Sequence, residues 1–477
     1  MAKELMLRSQ VNEEDTWNLK DMYESDAEWE KDIQLILDKA EEIVKFQGKV
    51  CENEANLLTV LQDLAFASEK LDYAYGYASR LFDEDQGNTA HQTMSQKMFS
   101  IMAKLSSDVS FVDPEILECP ENKLEVFYKK EPKLELYRKQ IQEIQRLKDH
   151  TLSAEMERVV ALTNEMSNTP GEVYEAFTNV DITFPAIKDE DGQEVVLTNG
   201  RFVPLLMSPD RRVRQDAFKA YYDTMKSYIN TFAASYSGEV KQRIFHSRVR
   251  KYNSNLEAAV DANNVSPEVY ENLVKSVNAN LDKLHAYVSL RKKCLGVDEL
   301  HMYDIYTPMI ADVAKKVPYK EAQDTICKAL AVLGDDYIQI VKEAFANRWI
   351  DVYENKGKRS GAYSSTSYGC HPYMLLNYNE TFDDMFTTAH EMGHSMHSYY
   401  SNSAQPYIYS NYKIFVAEVA STCNEILLLE YLLKNCDDKK ERAYLLNHYL
   451  DSFKGTVYRQ TQFAEFEKIT NEMVERG

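Results

Sequence analysis

Residues 382–400 read FDDMFTTAHEMGHSMHSYY, and both the fold and the chemistry can be worked outward from them. On an α-helix, side chains four positions apart share a face, with Cβ atoms about 5–6 Å apart. His390 and His394 can therefore aim imidazole nitrogens at one point, as zinc requires of nitrogen donors at about 2.0–2.1 Å. Glu391 projects beside them, placed to serve as general base toward a water held there. The helix is well signalled. Thr381 stands at the N-cap with Asp384 at N3, and Phe382, Met385, Phe386, Ala389, Met392, Gly393 and Met396 recur at three-and-four spacing. That stripe runs beside the histidine face, so the helix can pack on one side while its histidines meet a wet cleft. Two solvated histidines on a surface helix could give the same pentapeptide by chance, and the next helix decides between the readings.

That helix is expected over Asn411–Lys434, NYKIFVAEVASTCNEILLLEYLLK. A catalytic zinc takes three protein ligands and keeps one position open. Glu418 is the leading third ligand, because it sits in an apolar run (Ile414, Phe415, Val416, Ala417, Val419, Ala420) where an unpaired carboxylate is costly. Glu425, two turns on and on nearly the same face, is placed to accept a hydrogen bond from a ligating imidazole. Taken alone, either glutamate could equally be an ordinary solvated one. The upstream motif favours metal.

These residues resemble a known family. GKRSGAYSSTSYGCHPYMLLNYNE, running into the motif helix and followed by FVAEVASTCNE, is similar to the M3 metallopeptidases, and within them to the oligoendopeptidase F group. The likeness extends to TWNLKDMYESDAEWE near the start, to ITFPAIKDEDGQEVVLTNGRF and to SPDRRVRQDAF. It implies His390, His394 and Glu418 as zinc ligands, Glu391 as catalytic base and Glu425 as support to a ligating histidine. It also implies a mainly α, two-lobed metallopeptidase with a deep central channel and a small β element beside the zinc helix, cleaving internal bonds of short peptides. The family carries a further C-terminal segment with a histidine- and tyrosine-rich stretch, which nothing here matches. On that ground the 477 residues alone are expected to bind zinc but hydrolyse peptides poorly.

Composition fits a large helical protein. The hydrophobic content of 44% supports a sizeable core, while only 15 glycines against 32 tyrosines favour long helices over sandwiches. A net charge of −21 argues against nucleic acid or anionic membrane as partner. Seven cysteines form no CxxC pair, as reduced cytoplasmic thiols would. The N-terminus has no secretory h-region, and no apolar run reaches the ~20 residues of a membrane span. A soluble, cytoplasmic protein is the expectation.

Helices are predicted through Leu57–Leu71, His91–Leu105, Leu124–Arg146 and Leu152–Ser167, after one opened by a Ser25/Glu28 capping box. Around Asp191-Gly192, two β-rich runs predict a ribbon. The lobe boundary is placed there, giving residues 1–198 as a helical lobe and 199–477 as the catalytic domain. Ser266-Pro267 opens another helix, expected to reach Lys293. Residues 349–353 and His371–Tyr378 read as strands, the second expected to offer an open edge to a peptide. His371, Tyr373 and His397 are the candidate substrate contacts. Two alternatives remain: a helix-rich zinc exopeptidase resembling dipeptidyl carboxypeptidases, or a non-catalytic helical binding protein.

Overall fold

Helix dominates the computed structural model of the chain, which describes residues 6–167, 169–310 and 316–477. By packing, the chain divides into two compact units, both discontinuous. Met1–Thr151 joins Lys315–Asn435 in the first, and Leu152–Ala314 joins Cys436–Gly477 in the second. This differs from the sequential division at residue 198 read from the sequence.

In the first unit, a long helix, Glu54–Glu84, packs against Asp26–Val44 and Thr89–Asp108. Their shared core buries Trp17, Trp29, Ile36, Ala74, Ala78 and Met98. Trp29 donates its indole N–H to the Ala74 carbonyl at 3.0 Å, satisfying a polar atom inside that core. The Ser25/Glu28 capping box does not form: Glu28 accepts from the N–H of Glu24, one residue before the cap, and the Ser25 side chain accepts no capping hydrogen bond among the described residues. The predicted Leu124–Arg146 helix breaks at Pro132 into Glu121–Lys130, a 3₁₀ segment and Arg138–Arg146.

The same core reaches a small sheet. Strands β3 (Ile350–Asp351), β4 (Tyr363–Ser365) and β5 (Tyr373–Leu375) lie in the order β3-β5-β4, with β5 parallel to β3 and antiparallel to β4. Tyr373 and Leu375 of β5 join the Trp17–Trp29 cluster. The N-terminal arm is fastened there as well: Val352 donates to the Asp15 carbonyl at 2.9 Å and Arg8 bonds Asp351 at 2.9 Å. Lys358 is buried there too, against Asp351 at 2.7 Å.

The second unit holds the predicted ribbon, β1 (Ala186–Lys188) antiparallel to β2 (Glu194–Val196), with Gly192 at φ +78° in the turn. Beside it, helix Arg211–Ser227 presents Arg211 and Arg214 to the buried Asp304, at 3.0 and 2.9 Å. The helix opened by Pro267 stops at Asn278, and a separate one runs Leu281–Leu295. Among the described residues, no helix is long and apolar enough to cross a membrane.

Candidate active site

The motif segment forms one helix, Phe382–Ala404. Thr381 and Asp384, read from the sequence as N-cap and N3, make a reciprocal capping box, the Asp384 N–H donating to Thr381 Oγ1 at 3.1 Å. Its neighbour is helix Ala417–Lys434. The two cross closely because of Gly393, where a Cβ would stand 2.6 Å from Ser421 Cα and 2.7 Å from the Ala420 carbonyl oxygen. Asn424, buried between them, ties the crossing by donating to the Ala389 carbonyl at 3.1 Å.

This crossing brings three donor atoms into one group. His390 Nε2 and His394 Nε2 are 3.2 Å apart, and Glu418 Oε2 lies 3.3 Å from the first and 3.4 Å from the second. A tetrahedron with vertices about 2.0–2.1 Å from its centre has edges of about 3.3–3.4 Å. Two imidazole nitrogens and one carboxylate oxygen on such a face fit zinc, with the fourth vertex open.

All three donors are held by residues of helix Ala417–Lys434. Glu425 Oε1 accepts from His390 Nδ1, which fixes the tautomer and leaves Nε2 free to face the group. His394 hydrogen-bonds the Ala417 backbone. Ser421 Oγ donates to Glu418 Oε2 at 2.8 Å. Charge follows geometry. Burial opposes protonation of His390, but Glu425, with Glu391 and Glu418 nearby, outweighs it and raises the pKa. Burial, with His390 adjacent, keeps that of His394 low against the pull of Glu418.

Glu391 is buried at 8% exposure. Its carboxylate accepts the backbone N–H of Ser364 on β4, while Ser364 Oγ and Ser395 Oγ bond at 2.8 Å. Burial first, and the charge of Glu418 next, raise the Glu391 pKa against the counter-pull of His390. That makes it a stronger base than an ordinary glutamate.

Several expectations need correcting. Glu418 reaches the group, but not from a buried apolar setting: its side chain is 62% exposed, and Ile414, Phe415 and Val419 beside it are exposed too. Helix crossing, not desolvation, brings it in. Tyr373 is fully buried, with its hydroxyl on the Asn18 carbonyl at 2.9 Å, so it is a core residue and not a substrate contact. His371 stacks on Trp349 (centroids 4.5 Å apart) and has both nitrogens engaged, one by Asp21 and one by the Pro372 carbonyl. His397 stacks on Tyr412 at 3.6 Å, and burial lowers its pKa. Finally, β5 is the central strand, paired on both sides. The open edge belongs to β4.

A helix pair whose donors could hold a metal, beside a β edge in a mainly helical chain, has the make-up of a metallohydrolase of the HExxH class. Residues 205–477 match Peptidase family M3, and residues 115–184 match Oligopeptidase F. Over 476 residues the chain is 46% identical to Oligopeptidase PepF of Bacillus subtilis, covering all of this chain and 71% of that protein. It is 41% identical to Group B oligopeptidase PepB of Streptococcus agalactiae, covering 96% and 76%. The crystal structure of oligoendopeptidase-F from Enterococcus faecium superposes with a TM-score of 0.71 at 35% identity, covering 95% of this chain and 76% of that one. The chain belongs to peptidase family M3.

Proposed function

We propose that this peptidase is a zinc-dependent endopeptidase of short oligopeptides, with His390, His394 and Glu418 as ligands and Glu391 as general base. The observation that carries the reading is the near-equilateral donor triangle, with a buried carboxylate of raised pKa next to it in sequence. The naming of its relatives as oligopeptidases supports the substrate class.

Zinc bound there supplies Lewis acidity, polarising a carbonyl and bringing the pKa of a water towards ~7. Glu391 takes the proton of the attacking water and passes it to the leaving amine. The Ser364 N–H keeps the Glu391 carboxylate oriented through both transfers. Glu425 and Ser421 hold the His390 ring and the Glu418 carboxylate still. The open edge of β4, which ends at this carboxylate, can pair with an extended peptide through main-chain hydrogen bonds.

The test is metal analysis alongside hydrolysis of peptides blocked at both ends. Glu391→Gln should keep about one equivalent of zinc while kcat falls about 10²–10⁴-fold, and Glu418→Ala should lose the metal. Full zinc and activity in Glu418→Ala, with both lost in Glu425→Ala, would show the ligand assignment to be wrong. Failure to cleave any peptide lacking a free terminus would make the enzyme an exopeptidase.

A further inference from the structure

Alongside the open edge of β4 lies a polar cavity of about 450 Å³, entirely within the first unit. Ser364–Tyr368 form one wall, helix Glu54–Glu84 a second, and Ser398 and Tyr412 part of a third. Ser364 both lines this cavity and donates to Glu391, so the cavity begins one residue from the proposed base.

Its polar atoms are unusual in kind. Arg80, on helix Glu54–Glu84, is 1% exposed and has no carboxylate bonded to it among the described residues. Its guanidinium donates to Ser365 Oγ at 2.9 Å and to Ser367 Oγ at 3.4 Å, and it lies over the Tyr373 ring at 4.8 Å. Its Nε has no partner among the described residues. Asp83, one turn on, is taken by the Tyr363 hydroxyl at 2.7 Å and by Arg359 at 3.4 Å. A cation removed from water without a counter-ion is costly.

The hydroxyls carry the point further. Each serine has one hydroxyl proton, and where its oxygen accepts from Arg80 that proton must point elsewhere. Ser365 and Ser367 find no acceptor for it among the described residues, and the buried Thr366 Oγ1 has no partner at all. Three adjacent hydroxyl protons thus have no acceptor, and the guanidinium behind two of them has no bonded counter-ion, among the described residues. A Cβ on Gly76 would overlap both Ser367 Oγ and the Arg80 guanidinium, so a glycine there keeps the cluster assembled. The cavity's carboxylate, Asp72, accepts from the Tyr407 hydroxyl and sits eight residues from Arg80, about 12 Å along the helix.

We infer that this cavity is a substrate-carboxylate subsite: the Ser365–Ser367 hydroxyls, backed by Arg80, receive a carboxylate of a peptide lying along β4, either its C-terminus or an acidic side chain. The inference rests on the endopeptidase reading and specifies which peptides that enzyme prefers.

The test uses one N-acetylated peptide in three forms: free acid, C-terminal amide, and an amide carrying a single added glutamate. In the intact zinc enzyme, the carboxylate-bearing forms should show KM values about tenfold below that of the neutral amide. Preference for the free acid alone identifies the C-terminus as the source; preference for the glutamyl amide identifies a side chain. In Arg80→Met, and in the gentler Thr366→Val/Ser367→Ala double variant should Arg80→Met not fold, the ratio should fall to near one. Equal KM for all three forms in the wild type, or an undiminished ratio in a folded variant, overturns the subsite. Calorimetric binding of the same peptides to zinc-loaded Glu391→Gln reads the subsite without turnover. Absence of hydrolysis by the wild type would count against the endopeptidase reading, while the binding ratio still decides the subsite.

Discussion

Gly393 matters more than its place in an apolar stripe suggests. From the sequence it counts as one small residue among Met392 and Met396, since spacing can assign a face but not a crossing distance. In the structure it is where the partner helix touches backbone to backbone. Ser421 was missed for a related reason: a serine three positions after a glutamate is ordinary until the glutamate is known to need holding. Helical periodicity puts His390 with His394 on one face and Glu418 with Glu425 on another, while the meeting of the two faces was implied only by the family resemblance. Gly393→Ala should force the helices apart, since backbone atoms at 2.6 and 2.7 Å cannot swing aside. The expected cost is about 1–3 kcal/mol, together with weaker zinc binding. Thermal melting with and without zinc checks both, and unchanged values in each would show that the crossing has slack.

Among elements, caps and turns were readable and strand order was not. Thr381/Asp384, Ser266-Pro267 and Asp191-Gly192 work through local geometry, so a few residues contain the whole signal. Strands of two or three residues contain almost none, and their order rests on packing such as that of Tyr373 and Leu375 against Trp17 and Trp29, over 340 positions earlier. This is how β5 came to be read as an edge. Its Met374 N–H in fact donates to the Trp349 carbonyl at 2.9 Å, on the β3 side. In β4 the Ser364 N–H points away from β5 and meets Glu391. Proline at Ser364 therefore removes no ladder bond to β5. Ser364→Pro should fold and bind zinc, yet lose activity as Glu391 loses its orienting donor. Met374→Pro should fail to fold. Circular dichroism and metal content separate the two, and a fully active Ser364→Pro would show that the donor is dispensable.

At the scale of the whole chain, the composition foretold a helical protein of more than one part, but a linear reading could only cut it in sequence. The second unit's stability can be probed through Asp304. Burial alone would push its carboxyl up, but Arg211, the His301 N–H and Arg214 outweigh burial and hold it below the usual value. Its contribution is therefore fully present above the unfolded value of about 3.9, and is lost as pH falls through the lowered folded value. Asp304→Asn should be less stable than the wild type at neutral pH, with the gap closing below about pH 4. Denaturant titrations at several pH values check this, and a constant gap would exclude linkage through Asp304. The joining of residues 1–151 to 315–435 has a consequence in time. Trp17 leaves the ribosome 356 residues before Tyr373, the ring it meets edge-on at 6.0 Å. At about 5–20 residues per second, the N-terminal helices wait roughly 20–70 s for the strands that complete their core. Nascent chains arrested before Tyr373 should be cut readily by protease near Trp17, and chains arrested beyond Asn435 should resist. During that interval the N-terminal third of the protein is a natural client for a holding chaperone.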